Sequence, residues 1–168
     1  MLKVGDQLPE VTLYEFNEVE TEGCAIGPMP VKVREAAAGK KIALFALPGA
    51  FTPTCSAQHV PGYVAALDDL RAAGVDEIWC LSVNDAFVMG AWGRDQKAVG
   101  KVRMLGDGSA EFAKAMGLVL DLSARGFGVR SQRYSALVVD GVIKTLNVEE
   151  GGKFEVSDAA TMLAQARA

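Results

Sequence analysis

The chain has 168 residues, half of them apolar and 23% charged, with a formal net charge of −4. That is enough chain and apolar content for one domain with a real core. The acidity, and a scatter of Lys and Arg that never forms a run, exclude a phosphate-neutralising nucleic-acid binder.

No segment approaches the roughly 20 apolar residues of a membrane span. The first residues, MLKVGDQLPEVTLYEF, lack the apolar core and small-residue cleavage site of a signal peptide. The expectation is a cytoplasmic protein without membrane association. Cys24, Cys55 and Cys80 form neither a CxxC pair nor an even framework, so three free thiols are expected. A zinc site from these cysteines and His59, the only histidine, lacks paired ligand spacing.

In chain order, EVTLYEF (10–16) alternates as a half-buried strand does, and TEGCAIGPMP (21–30) reads as a Gly- and Pro-containing loop. KIALFAL (41–47) is a continuous apolar run, a strand buried on both faces. Residues 52–74 then read as a long helix that Pro61 disturbs and Gly74 caps. EIWCLSV (77–83) is a second buried strand, 85–99 a helix weakened by two glycines, KVRMLGD (101–107) a short strand, and 109–117 a capped helix ending at glycine. DLSARGFGVRSQ (121–132) is loop-like, and 133–149 is a hairpin turning at Asp140-Gly141. SDAATMLAQARA (157–168) makes a terminal helix with Ser157 as N-cap. This order implies an α/β fold of thioredoxin-like type, a central mixed sheet flanked by helices, with an N-terminal extension and an insertion.

Chemistry concentrates in FALPGAFTPTCSAQHVPGY (45–63). With Pro53 at the first helical position, Thr52 is the N-cap and Cys55 stands where a capping box places Glu. An anion there meets unpaired backbone N–H groups, so the spacing favours a thiolate. An ordinary thiol ionises near pH ~8.5, and moving one to about 6 takes roughly 3.4 kcal/mol. A helix terminus supplies roughly 0.3–1 kcal/mol and at best about 2. The balance must come from hydrogen bonds, Thr52 Oγ being the nearest donor, and from an arginine elsewhere. His59, four residues on, reads either as half of a Cys–His nucleophilic pair or as a packed histidine bonded to backbone. The second reading is favoured, because no orienting Asn or Asp and no oxyanion hole is marked.

Pro48-x-x-x-Thr52-x-x-Cys55 resembles the PxxxTxxC signature of the peroxiredoxins. PGAFTPTCS…H.PGY, followed by SVND (82–85) and RSQRYSALVVDGVIKTLNVE (130–149), is similar to the peroxiredoxin-5-like subfamily from about residue 3 onward. The resemblance implies a thiol peroxidase reducing hydrogen peroxide or small organic hydroperoxides. Cys55 would be the peroxidatic cysteine, passing through a sulfenic acid. Thr52 would hydrogen-bond thiolate and peroxide, Pro48 would shield the pocket, and Arg133 would hold the thiolate and polarise the peroxide. Arg125 and Arg130 compete by charge alone and read better as solvated loop residues.

The resemblance also carries a departure. Where some members have a resolving cysteine near the C-terminus, Val156 stands here. Cys80 reads as core and Cys24 as a weak candidate for resolution. The expected scheme is one-cysteine chemistry, with no cofactor beyond glutathione and with glutaredoxin as partner. The resemblance implies a homodimer beside the site loops, with Phe51, Trp92 and Phe127 as candidate contacts.

Overall fold

The computed structural model describes residues 1–17 and 27–168. Strand β1 (Thr12–Asn17) pairs antiparallel with β2 (Gly27–Lys32), which runs into the short helix α1 (Val33–Ala37). Strand β3 (Lys41–Ala46) leads through the loop 47–52 to a helical run that begins at Pro53. That run contains a π-helical turn, Cys55–His59, then α2 (Val60–Ala65) and α3 (Leu67–Ala72). Next come β4 (Glu77–Ser82), α4 (Ala86–Asp95), β5 (Arg103–Gly106) and α5 (Glu111–Met116). β6 (Val119–Leu122) and β7 (Gly128–Ser131) form a separate ribbon, followed by β8 (Tyr134–Val139), β9 (Val142–Val148) and α6 (Ala159–Arg167).

The main sheet runs β2-β1-β5-β4-β3-β8-β9, with β3, β4 and β5 parallel and the other pairings antiparallel. This is the mixed, helix-flanked sheet expected of a thioredoxin-like chain. β3 is buried on both faces, and its side chains alternate accordingly. Ala43, Phe45 and Leu47 join Tyr63, Trp92 and Met162 on one side; Ile42, Leu44 and Ala46 join Trp79, Phe112 and Tyr134 on the other.

One pairing decides where function sits. β8 is antiparallel to β3 with Ala46 opposite Tyr134, so the start of β8 lies beside the end of β3. The loop leaving β3 and Arg133, the residue before β8, therefore meet at one end of the sheet. Tyr134 is also opposite Val148, which brings Glu149 to the same end.

Several local expectations are corrected. GPMP (27–30), expected within a loop, belongs to β2; this is an edge strand, where Pro28 and Pro30 cost little pairing. Residues 121–132, expected as loop, hold the end of β6, a turn at Ser123–Arg125 and all of β7, which pair as a ribbon. The α5 cap is the Asp107 carboxylate, which accepts from Phe112 N and Ala113 N at 3.0 Å each. The residue before α6 is Asp158, not Ser157, whose hydroxyl is committed elsewhere. The expected Asp140-Gly141 turn forms with φ of 48° and 76°, both left-handed as a two-residue hairpin requires.

Candidate active site

The loop 47–52 is held from three sides. Asn84 Oδ1 accepts from Ala50 N at 3.0 Å and from Ser82 Oγ at 2.6 Å, which gives the SVND segment a physical task. Thr52 Oγ1 donates to Gly49 O at 2.7 Å, and Ser56 N donates to Thr52 O at 2.9 Å. Arg130 spans the mouth, donating from Nε to Phe127 O at 2.9 Å and from Nη1 to Pro48 O at 3.3 Å. A Cβ on Gly49 would lie 2.9 Å from that Nη1, so the glycine is what lets Arg130 close over the loop. Phe51 adopts φ 64°, strained backbone for a non-glycine residue immediately before the helical run.

Cys55 occupies the third position of that run and is completely buried. The expected helix is continuous through it, but in π register: Val60 N donates to Cys55 O, five residues back. Pro61 follows directly, and its missing N–H breaks the α-helical ladder at this point. Arg133 supplies the cation. Its Nη2 donates to Cys55 Sγ at 3.2 Å, and its Nη1 lies 2.8 Å from His59 Nδ1. The other ring nitrogen, Nε2, lies 3.0 Å from Ser157 O, which also accepts from Tyr63 Oη at 3.0 Å. A carbonyl cannot donate, so Nε2 carries the proton and Nδ1 presents a lone pair to the guanidinium. Burial first, then the Arg133 charge, push the His59 imidazole down to about 3, so it is neutral at physiological pH. Phe45 stacks on Tyr63 at 4.1 Å and tilts against His59 at 4.7 Å, and Arg133 lies over Phe154 at 5.8 Å. This gives a buried, aromatic-walled cage around a sulfur that faces the Arg133 guanidinium.

A family model described as Redoxin matches residues 3–163. Peroxiredoxin-2E-2, a chloroplastic protein of Oryza sativa subsp. japonica, is 49% identical over 166 residues, spanning 96% of this chain and 71% of that protein. Arabidopsis thaliana peroxiredoxin-2B is 46% identical over 162 residues, 96% of each chain. The structure of reduced Prx3 from Vibrio vulnificus in complex with H2O2 matches at a TM-score of 0.91 and 49% identity, over 99% of each chain. The chain belongs to the peroxiredoxin family. It is a peroxiredoxin-type peroxidase on a thioredoxin-like fold.

In this peroxiredoxin Pro48, Thr52, Cys55 and Arg133 lie at one end of the sheet. Two details differ from expectation. The Thr52 hydroxyl proton expected on the sulfur goes to Gly49 O instead, because the turn brings that carbonyl to 2.7 Å. Arg130, expected as a solvated residue, is half-buried and braces the Pro48 loop, while Arg125 is exposed. The Cys–His pair does not form: both ring nitrogens of His59 are taken, one by Ser157 and one by Arg133. Trp92, one of the candidate subunit contacts, is instead core, fully buried and donating to Ser56 Oγ at 3.0 Å, whereas Phe51 and Phe127 are each 53% exposed.

Cys80 is core, as expected, and burial, with Cys55 nearby, pushes its thiol well up. Cys24 lies outside the described residues. Ser157, Glu149 and the bracing role of Arg130 were missed. The only sequence signal for the first two was a Glu closing a strand eight residues before a Ser-Asp helix start.

Proposed function

We propose that the chain reduces hydrogen peroxide and small organic hydroperoxides through Cys55 and is recycled by glutathione with glutaredoxin. The observation that carries the reading is the guanidinium of Arg133 donating to the Cys55 sulfur at 3.2 Å in a fully buried pocket. Such a charge-assisted bond stabilises thiolate over thiol and stays in place to meet the charge that develops on the departing oxygen. The thiolate attacks one peroxide oxygen, the O–O bond breaks, and the leaving oxygen takes a proton to become water or alcohol. Cys55 becomes a sulfenic acid. The Thr52 oxygen, its proton committed to Gly49 O, keeps lone pairs to accept from the peroxide O–H. Pro48 walls the entrance.

Recycling is proposed as one-cysteine chemistry. Glutathione condenses with the sulfenic acid to a mixed disulfide and water. A second glutathione, through glutaredoxin, then releases Cys55 and glutathione disulfide. Two features support this route: Val156 stands where a C-terminal resolving cysteine would be, and burial keeps Cys80 protonated. We propose a single thioredoxin-fold domain, without further cofactor, working in the cytoplasm as a homodimer that packs through Phe51 and Phe127. No helix among the described residues is long and apolar enough to cross a membrane.

The test is one equivalent of hydrogen peroxide on the reduced protein, with and without glutathione, followed by peptide mass analysis. Oxidation confined to Cys55, trapped as a glutathione adduct, is the expected result. A Cys55–Cys24 or Cys55–Cys80 disulfide, formed in preference to the adduct, would overturn the recycling scheme. An untouched Cys55 would overturn the peroxidase assignment of that residue.

A further inference from the structure

Behind the groups that meet at the sulfur lies a second polar cluster, built on the Glu149 carboxylate. Glu149 is 7% exposed and closes β9, where its N–H donates to Arg133 O at 3.0 Å. Its side chain turns toward the loop 150–157 and gathers that loop's donors. Glu155 N reaches Oε1 at 3.0 Å and Oε2 at 2.9 Å; Val156 N, Ser157 N and Ser157 Oγ reach Oε2 at 2.9, 2.8 and 2.6 Å. A carboxylate is an acceptor only, with room for about four donors, and that is what it receives.

We propose that Glu149 is a positioning residue for Cys55, acting through Ser157, His59 and Arg133; this rests on the peroxidase reading above. Each link has a forced direction. A guanidinium only donates, so Arg133 Nη1 needs a bare nitrogen at His59 Nδ1. Nδ1 is bare only while the proton sits on Nε2, and Nε2 keeps it because Ser157 O accepts it. Ser157 O stays there because Glu149 clamps the same residue by its N–H and its hydroxyl. With Nη1 tied to His59, Nη2 of the same planar fork is aimed at Cys55 Sγ. Released from Ser157, His59 could carry its proton on Nδ1, setting donor against donor and turning the fork off the sulfur.

The charge of Glu149 belongs to the device. Burial works to raise its carboxyl pKa, but the Ser157 hydroxyl and the loop N–H groups hold it below the ordinary carboxylate range. A carboxamide of the same shape would offer one acceptor oxygen and point an NH2 group at N–H and O–H donors. The charged and titratable groups about the sulfur are Arg133 before β8, His59 on its own helical turn and Cys80 on β4.

The experiment is the alkylation rate of Cys55 across pH in the full chain, read on its own peptide, beside the rate of peroxide reduction. Glu149→Gln is expected to raise the alkylation midpoint by about one pH unit. Below that midpoint it slows peroxide reduction about tenfold, and alkaline pH restores the rate. Glu149→Asp, which keeps the charge, shifts the midpoint less. In a His59→Ala background Glu149→Gln shifts it no further, because the path is already cut. A Glu149→Gln protein that melts earlier but titrates at the wild-type midpoint would overturn the proposal, leaving Glu149 as loop glue. Should that variant not fold, Ser157→Ala, which deletes only the hydroxyl bond, is read the same way: a raised midpoint supports the chain of contacts and an unchanged one overturns it. Alkylation needs no peroxide, so wild-type protein that consumes none would sink the peroxidase reading alone.

Discussion

Arg133 serves two partners with one rigid fork, so its loss removes the sulfur's cation and His59's donor together. Arg133→Ala is expected to slow peroxide reduction by about 10²–10³ while the protein stays folded, a range typical of losing one preorganised electrostatic group. Circular dichroism beside peroxide consumption checks it, and unchanged kinetics would remove Arg133 from the site. His59 adds a pH signature. Its folded value, about 3, lies below the ordinary 6.5, so between those values the unfolded chain binds more protons and stability falls as pH drops. Between pH 7 and 5 the loss is about 2 kcal/mol, measurable by urea unfolding, and His59→Asn should flatten that slope. Cys55, Thr52 and Pro48 were legible because their signature spans eight consecutive residues. Arg133 was legible only through family likeness. The His59–Arg133 contact was not, since a side chain's partner 74 positions away follows from strand pairing rather than spacing.

At the scale of elements, the strands and helices around the parallel core were readable because burial on both faces leaves unbroken apolar runs. The misses fell where local chemistry points the other way. The prolines of β2 are strand breakers in a sheet interior and tolerable at its edge, and only the strand order tells which applies. The glycines of α4 lowered its helical signal, yet they are contact sites. A Cβ on Gly90 would come within 2.7 Å of Phe16, and one on Gly93 within 3.0 Å of Met104. Gly90→Ala should therefore destabilise by about 1–3 kcal/mol despite its better helix propensity, because the ring of Phe16 must move. Denaturant unfolding reads the sign directly. Tyr134, first in β8, runs the opposite way: it is fully buried and, among the described residues, its hydroxyl has no hydrogen-bond partner. Leaving a buried hydroxyl unpaired costs about 1–3 kcal/mol, so Tyr134→Phe should match or exceed the wild type in stability. A clear loss would mean that the hydroxyl has a partner in solution.

For the whole molecule, exposed Phe51 and Phe127 stand close to the active-site loops, Phe51 next to Thr52 and Phe127 bonded through its carbonyl to Arg130. If the proposed dimer packs there, Phe127→Glu should shift sedimentation toward the monomer, with Cys55 still oxidised by peroxide. A wild-type monomer would remove that contact. The antiparallel pairing of β3 with β8 has a temporal consequence as well. Cys55 leaves the ribosome 78 residues ahead of Arg133, and Ser157 follows later still. Until β8 docks on β3, Cys55 lacks the Arg133 guanidinium that the pairing brings to it. If Cys55 is the reacting thiol, as proposed, it is armed only once β8 has docked on β3, and a half-made chain lacks the contact on which that reaction rests.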